Sequence, residues 1–252
     1  MQTRGRGDGF TLIEILIAMA MLSILAGAIA PLVVREMGRT RRNDTSERML
    51  QLLDGMVGRP QEGFFGYVGD MGELPDSLQD LVQQGAQPAF TQTSYGFGVG
   101  WNGPYASETG PLGDPTQDAW GTAFDYDNTQ AQVRSAAADH ALGTGDDLVY
   151  PAVPSRTSGI LTVTVLGIPS GTSTTVPLSS SEATGLVTIS SAGSLGTVNL
   201  AGSGPFYTSS AIHTGFHAVV ITGIGTYSGA SATQVVQMLP GNTTLTTTLV
   251  QP

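Results

Sequence analysis

The sequence predicts an α+β chain: one long N-terminal helix, a small sheet-bearing head, and a C-terminal all-β, Ig-like sandwich. Three observations carry this. Phe10 to Val34 is an apolar run of 25 residues with one charge, Glu14. Behind it, Met49, Leu52, Leu53 and Met56 recur at helical spacing. From Ser155 to the end the chain is rich in Ser, Thr and Gly, with stretches of period-two hydrophobicity.

The apolar run comes first. As a helix it spans roughly 37 Å at about 1.5 Å per residue, enough to cross a hydrocarbon core of about 30 Å. A carboxylate five residues into such a segment is expensive in lipid and needs a partner. The residues before it are short, polar and basic (Arg4, Arg6), and they end in Gly9. Two other readings compete. A secretory signal peptide would use Arg4 and Arg6 as its basic region and Ala28-Ile29-Ala30 as its cleavage site. It would, however, carry Glu14 inside its apolar region and Pro31 just after the cut. An ordinary single-span anchor would not need the string Gly9-Phe10-Thr11-Leu12-Ile13-Glu14.

That string, followed by about twenty apolar residues, resembles the class III leader of type IV pilins and type II secretion pseudopilins. The resemblance implies cleavage by prepilin peptidase between Gly9 and Phe10, and N-methylation of the new Phe10 amine. Glu14 then becomes the fifth mature residue, where pilins carry a glutamate. Pairing with a neighbouring subunit's terminal amine would relieve the buried charge and favour correct axial register. Pro31 falls at mature position 22, where many pilins carry a helix-breaking proline, so a kink or a melted stretch is expected. Asp8 departs from the family, which has basic or neutral residues before the glycine. The arginine count does not favour an N-in span, since Arg35, Arg39, Arg41 and Arg42 follow it and only Arg4 and Arg6 precede it. N-in orientation rests on the leader alone.

Arg35 to Val57 continues the helix. Its polar side, with Arg39, Arg42, Glu47 and Asp54, reads as a solvated face, and Gly55, Gly58 and Pro60 end it. In the next segment Pro75 precedes a cap at Asp76 or Ser77, and Leu78, Leu81 and Val82 supply a buried stripe. Gly96-Phe97-Gly98-Val99-Gly100 lacks the spacing of a nucleotide loop and reads as an ordinary loop. Phe124 and Tyr126 alternate with Asp125 and Asp127 as in a half-buried strand.

Leu74-Pro75, Trp101-Asn102-Gly103-Pro104-Tyr105 and Asp118-Ala119-Trp120-Gly121 are similar to stretches in the head of major pseudopilins. This implies a small antiparallel-sheet head with Trp101 and Trp120 in the core against the long helix; Ala123 stands where a proline is usual. The loop from Ser135 to Leu148 resembles the family's calcium loop. It implies a Ca²⁺ held by Asp139, Asp146 and Asp147, although Ala137 and His140 replace glycines. Calcium takes six to eight oxygens at about 2.3–2.6 Å, which such a turn can supply. The plain alternative is an acidic surface loop with no ion.

Charge and composition bound the rest. The chain has 252 residues, no cysteine and no lysine, and a formal charge of −10 that becomes about −11 without Arg4, Arg6 and Asp8. Seven of the ten arginines lie within the first 48 residues, so the distal part lacks the basic footprint of a nucleic-acid binder. After Arg156 the one charged residue is Glu182, a shift that marks a boundary near Tyr150-Pro151. The expected plan is a leader over 1–9, a transmembrane half-helix over 10–34, a pseudopilin-like head over 35–150 and a β-domain over 151–252. Strands are expected at Ile160–Leu166, Leu186–Ile189, Gly196–Leu200, Phe216–Thr222, Gln234–Leu239 and Leu245–Val250. His213 and His217, four apart, would share a strand face, a spacing open to a metal pair, although Gly215 lies between them and no carboxylate is near in sequence.

No nucleophile motif, triad or cofactor loop is present, so no enzyme is expected. The family resemblance implies a structural subunit of a type IV pilus-like or type II secretion pseudopilus filament. Its partners would be copies of itself, prepilin peptidase, an inner-membrane assembly platform and minor pseudopilins. It would sit in the inner membrane and periplasm, or in a cell-surface filament. The alternative is an adhesin-like minor or tip pilin whose β-domain contacts a ligand or surface.

Overall fold

The computed structural model describes residues 11–107, 113–153 and 157–252, so the cleavage point expected at Gly9 and Phe10 lies outside the described residues. The chain starts as helix α1, Leu12–Val57, 46 residues and roughly 69 Å long. Its stretch from Leu12 to Val34 is exposed on every side, and the helix is long and apolar enough to cross a membrane. The melted stretch expected at Pro31 does not occur; α1 passes through it as one element. Pro31 removes one backbone hydrogen bond, whereas breaking the helix there would create two new ends, each with four orphan backbone groups.

The second half of α1 carries the head. Met49, Leu52 and Met56 are buried against Tyr67, Leu78, Leu81, Phe124 and Val133. Gly55 lets this packing close, because a Cβ there would sit 2.6 Å from the Tyr105 carbonyl oxygen. After the helix come α2 (Gly66–Met71) and a single 3₁₀ turn at Leu78–Leu81. Ser77 and Asp80 form a capping box on that turn, so of the two expected caps Ser77 is the one used. The glycine-rich stretch expected as a loop contains a short strand, β2 (Gly98–Val99), which pairs with β1 (Thr91–Gln92) in a small hairpin. Strands β3 (Asp125–Asp127), β4 (Gln132–Ser135) and β5 (Leu148–Tyr150) form an antiparallel sheet in that order. Trp101 packs at the edge of the head core and donates its indole N–H to the Asp80 carbonyl at 2.8 Å. Trp120 is only half-buried and lies outside that cluster, contrary to expectation. The loop around it is held by polar contacts instead, with Asp118 accepting from the amides of Trp120 and Thr122 at 2.9 Å each.

The C-terminal residues form two sheets. In one, β6 (Ser158–Ile168) is central. The last strand, β14 (Gly241–Val250), runs parallel along one edge of it, and β7 (Val176–Pro177), β10 (Phe206–Thr208) and β11 (Ile212–His213) pair antiparallel along the other. The second sheet has the order β13 (Ser231–Met238), β12 (Gly215–Gly223), β8 (Ala183–Ser191), β9 (Ser194–Asn199). Leu161, Val163, Val165 and Leu249 from the first sheet meet Val187, Val219, Ile221 and Met238 from the second. Each such side chain contributes about 1.5–3 kcal/mol on burial. All six expected strands are present; the short β7, β10 and β11 were not expected.

The sandwich is docked on the head rather than hung from it. Ser190 Oγ donates to the Asp70 carbonyl at 2.6 Å, the Gly193 amide to the Met71 carbonyl at 2.8 Å, and Gln237 Nε2 to the Pro60 carbonyl at 2.8 Å. Gly72 lies so close to Ser190 that a Cβ would meet its carbonyl oxygen.

Candidate functional site

Two places hold the residues singled out by sequence. The first is the start of α1. Thr11 is its N-cap, and Glu14, the third residue of the helix, completes a capping box. The Glu14 carboxylate accepts from the Thr11 amide and hydroxyl at 3.0 Å each, and the Glu14 amide donates to the Thr11 hydroxyl oxygen at 3.3 Å. The carboxylate thus has donors within its own chain, which its placement in an apolar run did not suggest. The signal was legible as Thr followed three residues later by Glu before an apolar run. Pro31 lies about 29 Å further along the helix, exposed and without tertiary contact in this single chain.

The second place is the loop joining β4 to β5. It brings Asp139, Asp146 and Asp147 together, with one carboxylate oxygen from each lying within 4.8 Å of the others. Local turns set this up. The Asp139 carboxylate accepts from the Ala141 amide at 2.9 Å, Asp146 from the Ala138 amide at 3.1 Å, and Asp147 from the Gly143 amide at 2.6 Å. The Thr144 hydroxyl sits between the last two, 2.7 Å from Asp146 Oδ1 and 3.3 Å from Asp147 Oδ1. That hydroxyl, and behind it the Ala138 amide, holds the Asp146 carboxyl below the usual carboxylate range. The cluster is a set of carboxylate oxygens, the hard donor type that calcium takes.

Ala137 and His140 both adopt left-handed φ, 49° and 58°. Each non-glycine residue there costs roughly 1–2 kcal/mol. The base of the loop is anchored by buried Asp118, which accepts from the Ser135 hydroxyl at 2.6 Å, while the Ser135 oxygen accepts from the Ala137 amide at 3.0 Å. Arg42, expected on a solvated face, donates from its guanidinium to the Asp146 carbonyl oxygen at 3.1 Å and ties the loop to α1. Asp118, Thr144 and Arg42 are the supporting residues that sequence reasoning missed.

His213 and His217 do not share a strand. They lie on β11 and β12, and His217 spends Nε2 on the His213 carbonyl oxygen at 2.7 Å. Burial pushes the His217 imidazole down to about 4.

Comparison with known proteins bears on the first place. Residues 6–30 match the family model described as the prokaryotic N-terminal methylation motif. The segment is a type IV pilin-like class III leader. None of the curated proteins matches the chain. Among solved structures, the chain is similar to GBS52, the minor pilin in the Gram-positive pathogen Streptococcus agalactiae. The match has 13% identity, covers 62% of this chain and 64% of that one, and has a TM-score of 0.27, too low to say anything about this chain's function.

Proposed function

We propose that this chain, with its pilin-type leader, is a structural subunit of a helical filament, either a type IV pilus-like fibre or a type II secretion pseudopilus. The observation that carries the reading is the continuity of two features. A methylation motif over residues 6–30 overlaps the start of an apolar helix that no other described part of the chain covers. A helix exposed on every side over some twenty apolar residues needs lipid before assembly and neighbouring copies after it.

In this reading prepilin peptidase cuts after Gly9 and Phe10 is N-methylated. The span is held in the inner membrane, with the head over 35–150 and the β-domain over 151–252 on the outer side, until an assembly platform and minor pseudopilins draw it into the filament. Glu14 and Pro31 act in that step, Glu14 through its charge and Pro31 by sparing one backbone bond where the helix must adapt to neighbours. The chemistry of the β4–β5 loop fits a Ca²⁺ held by Asp139, Asp146 and Asp147. There the ion would supply positive charge that offsets three carboxylates and braces the edge of the head sheet.

Isolating filaments from cells and identifying their dominant subunit by mass spectrometry tests the reading. This chain should dominate and should begin at N-methyl-Phe10. A chain recovered only as a soluble, unassembled periplasmic species would refute it.

A further inference from the structure

The exposed phenylalanines are not scattered. Among the described residues Phe64, Phe90, Phe206 and Phe216 are exposed, and all but Phe206 open onto one cavity of about 520 Å³. The segment just after α1, the β1–β2 hairpin that carries Tyr95, Asn102, and the paired strands β12 and β13 meet there. Phe65 sets Phe216 in place by an edge-on contact at 5.2 Å between ring centroids. Volume and lining suit a binding site, which is typically apolar with a few convergent polar groups.

Asp70 is the one charged side chain in that lining. Its carboxylate accepts from the Tyr105 hydroxyl at 2.8 Å and is hydrogen-bonded by Asn102. Burial pushes its pKa up, and no cation counters that effect. Aromatic faces attract a cation through their quadrupole, and a carboxylate without a counter-charge adds to the attraction while repelling anions. A guanidinium suits both features, because its plane stacks on rings and its fork matches a carboxylate.

The chain itself carries such groups. Arg35, Arg39 and Arg41 are exposed and form no ion pair among the described residues. They precede the end of α1 at Val57 by 16 to 22 residues, or about 24–33 Å along the axis. The cavity opens beside that end, where Gly66 packs on Gly55 and Gly58. No arginine of the 35–41 stretch reaches its own cavity. A parallel copy staggered by the same distance would bring one there.

We propose that this cavity is a subunit contact that receives an arginine from the 35–41 stretch of a second copy of the chain. The inference rests on the filament reading and adds to it a specific contact and stagger. The chain has no cysteine, so introduced pairs can be read without background. Phe64→Cys combined in turn with Arg35→Cys, Arg39→Cys or Arg41→Cys, in full-length chains expressed in assembling cells, should give a ladder of disulfide-linked multimers on oxidation. At least one pair should do so. Phe206→Cys in place of Phe64→Cys should give none. Phe64→Cys with Thr40→Cys leaves Arg35, Arg39 and Arg41 in place, and in that pair Asp70→Asn, which keeps an acceptor for Tyr105 but drops the charge, should cut the ladder about tenfold. Filaments of normal yield with no ladder from any pair overturn the contact and leave the filament reading standing. A wild-type chain that makes no filament sinks both. Filaments that capture a sugar on a glycan array, lose it in Phe64→Ala and show no ladder give the cavity to a carbohydrate and overturn the proposal.

Discussion

Calcium binding at the β4–β5 loop gives the sharpest test of the acidic cluster. The perturbation is removal of the ion, by chelator or by Asp147→Ala. With one carboxylate oxygen from each of Asp139, Asp146 and Asp147 within 4.8 Å, the apo loop concentrates three negative charges that an ion would offset. An ion that binds only the folded state stabilises it by RT ln(1 + [L]/Kd), about 2.7 kcal/mol at a hundredfold excess over Kd. The head over 35–150 lies between the sizes for which 1 kcal/mol moves Tm by about 4–8 °C and by about 2–4 °C, so the expected rise is roughly 10 °C. The assay is thermal unfolding of the full chain in detergent with millimolar calcium, then with chelator, then with magnesium. Calcium should raise Tm, chelator should reverse the rise, and magnesium should substitute poorly because it demands a tighter octahedral shell. Asp147→Ala should abolish the response while leaving the unfolding of the C-terminal sandwich unchanged. Identical melting in calcium and chelator would refute the reasoning, and the loop would then be an acidic turn held by its own amides.

Three further outcomes are expected. Intact-mass analysis should show a mature chain starting at N-methyl-Phe10; a start at Pro31, or a retained Met1, contradicts leader processing. Glu14→Gln keeps the capping geometry with Thr11 but removes the charge, and Glu14→Ala removes both, so if the charge drives assembly both variants should insert in the membrane yet yield no filaments. Normal filament yield from the glutamine variant would show that the cap, not the charge, is what assembly needs. His217 is neutral in the folded state down to about pH 4, whereas its unfolded value is near 6.5. The unfolded chain therefore binds the extra proton across that window, and stability should fall as pH drops from about 6.5 to 4, by up to about 3 kcal/mol. Urea titrations at several pH values should show the slope in wild type and a shallower one in His217→Gln, the remainder coming in part from His213, which burial also lowers.

The parts of the fold written in short-range periodicity were legible. Met49, Leu52 and Met56 announced a helix with one buried face, and the alternation through Leu161, Val163 and Val165 announced a strand between two sheets. Strands of two or three residues, such as β7 and β11, carry no such signal; they exist because β6 offers an edge to pair with. Trp120 was misplaced because the motif resemblance put it in the core, whereas Asp118 gathers the Trp120 and Thr122 amides two and four residues on, a local turn that leaves the indole half-buried. In the acidic loop the three aspartates could be named from sequence. Their convergence depends on left-handed φ at Ala137 and His140, residue types that ordinarily avoid it, and on Arg42, 104 residues away from Asp146 in sequence.

The capping box at Glu14 changes the energetic argument for assembly. A carboxylate with no donor in lipid would be so costly that the free monomer would hardly exist as a spanning species. Here the donors come from Thr11, which the proposed cleavage after Gly9 would leave in the chain, so the monomer could wait in the membrane with its charge partly satisfied. On the filament reading proposed above, cleavage would add a free amine one residue before the cap, at the positive end of the helix dipole, where a cation is disfavoured. The processed monomer would then hold a carboxylate with hydrogen-bonding capacity left over and an amine poorly placed on its own helix. Contact between the amine of one chain and Glu14 of the next would relieve both at once, and only processed chains in register could make it. Leader cleavage would in that arrangement be a switch on assembly, since the amine that the neighbour's Glu14 needs would not exist before the cut.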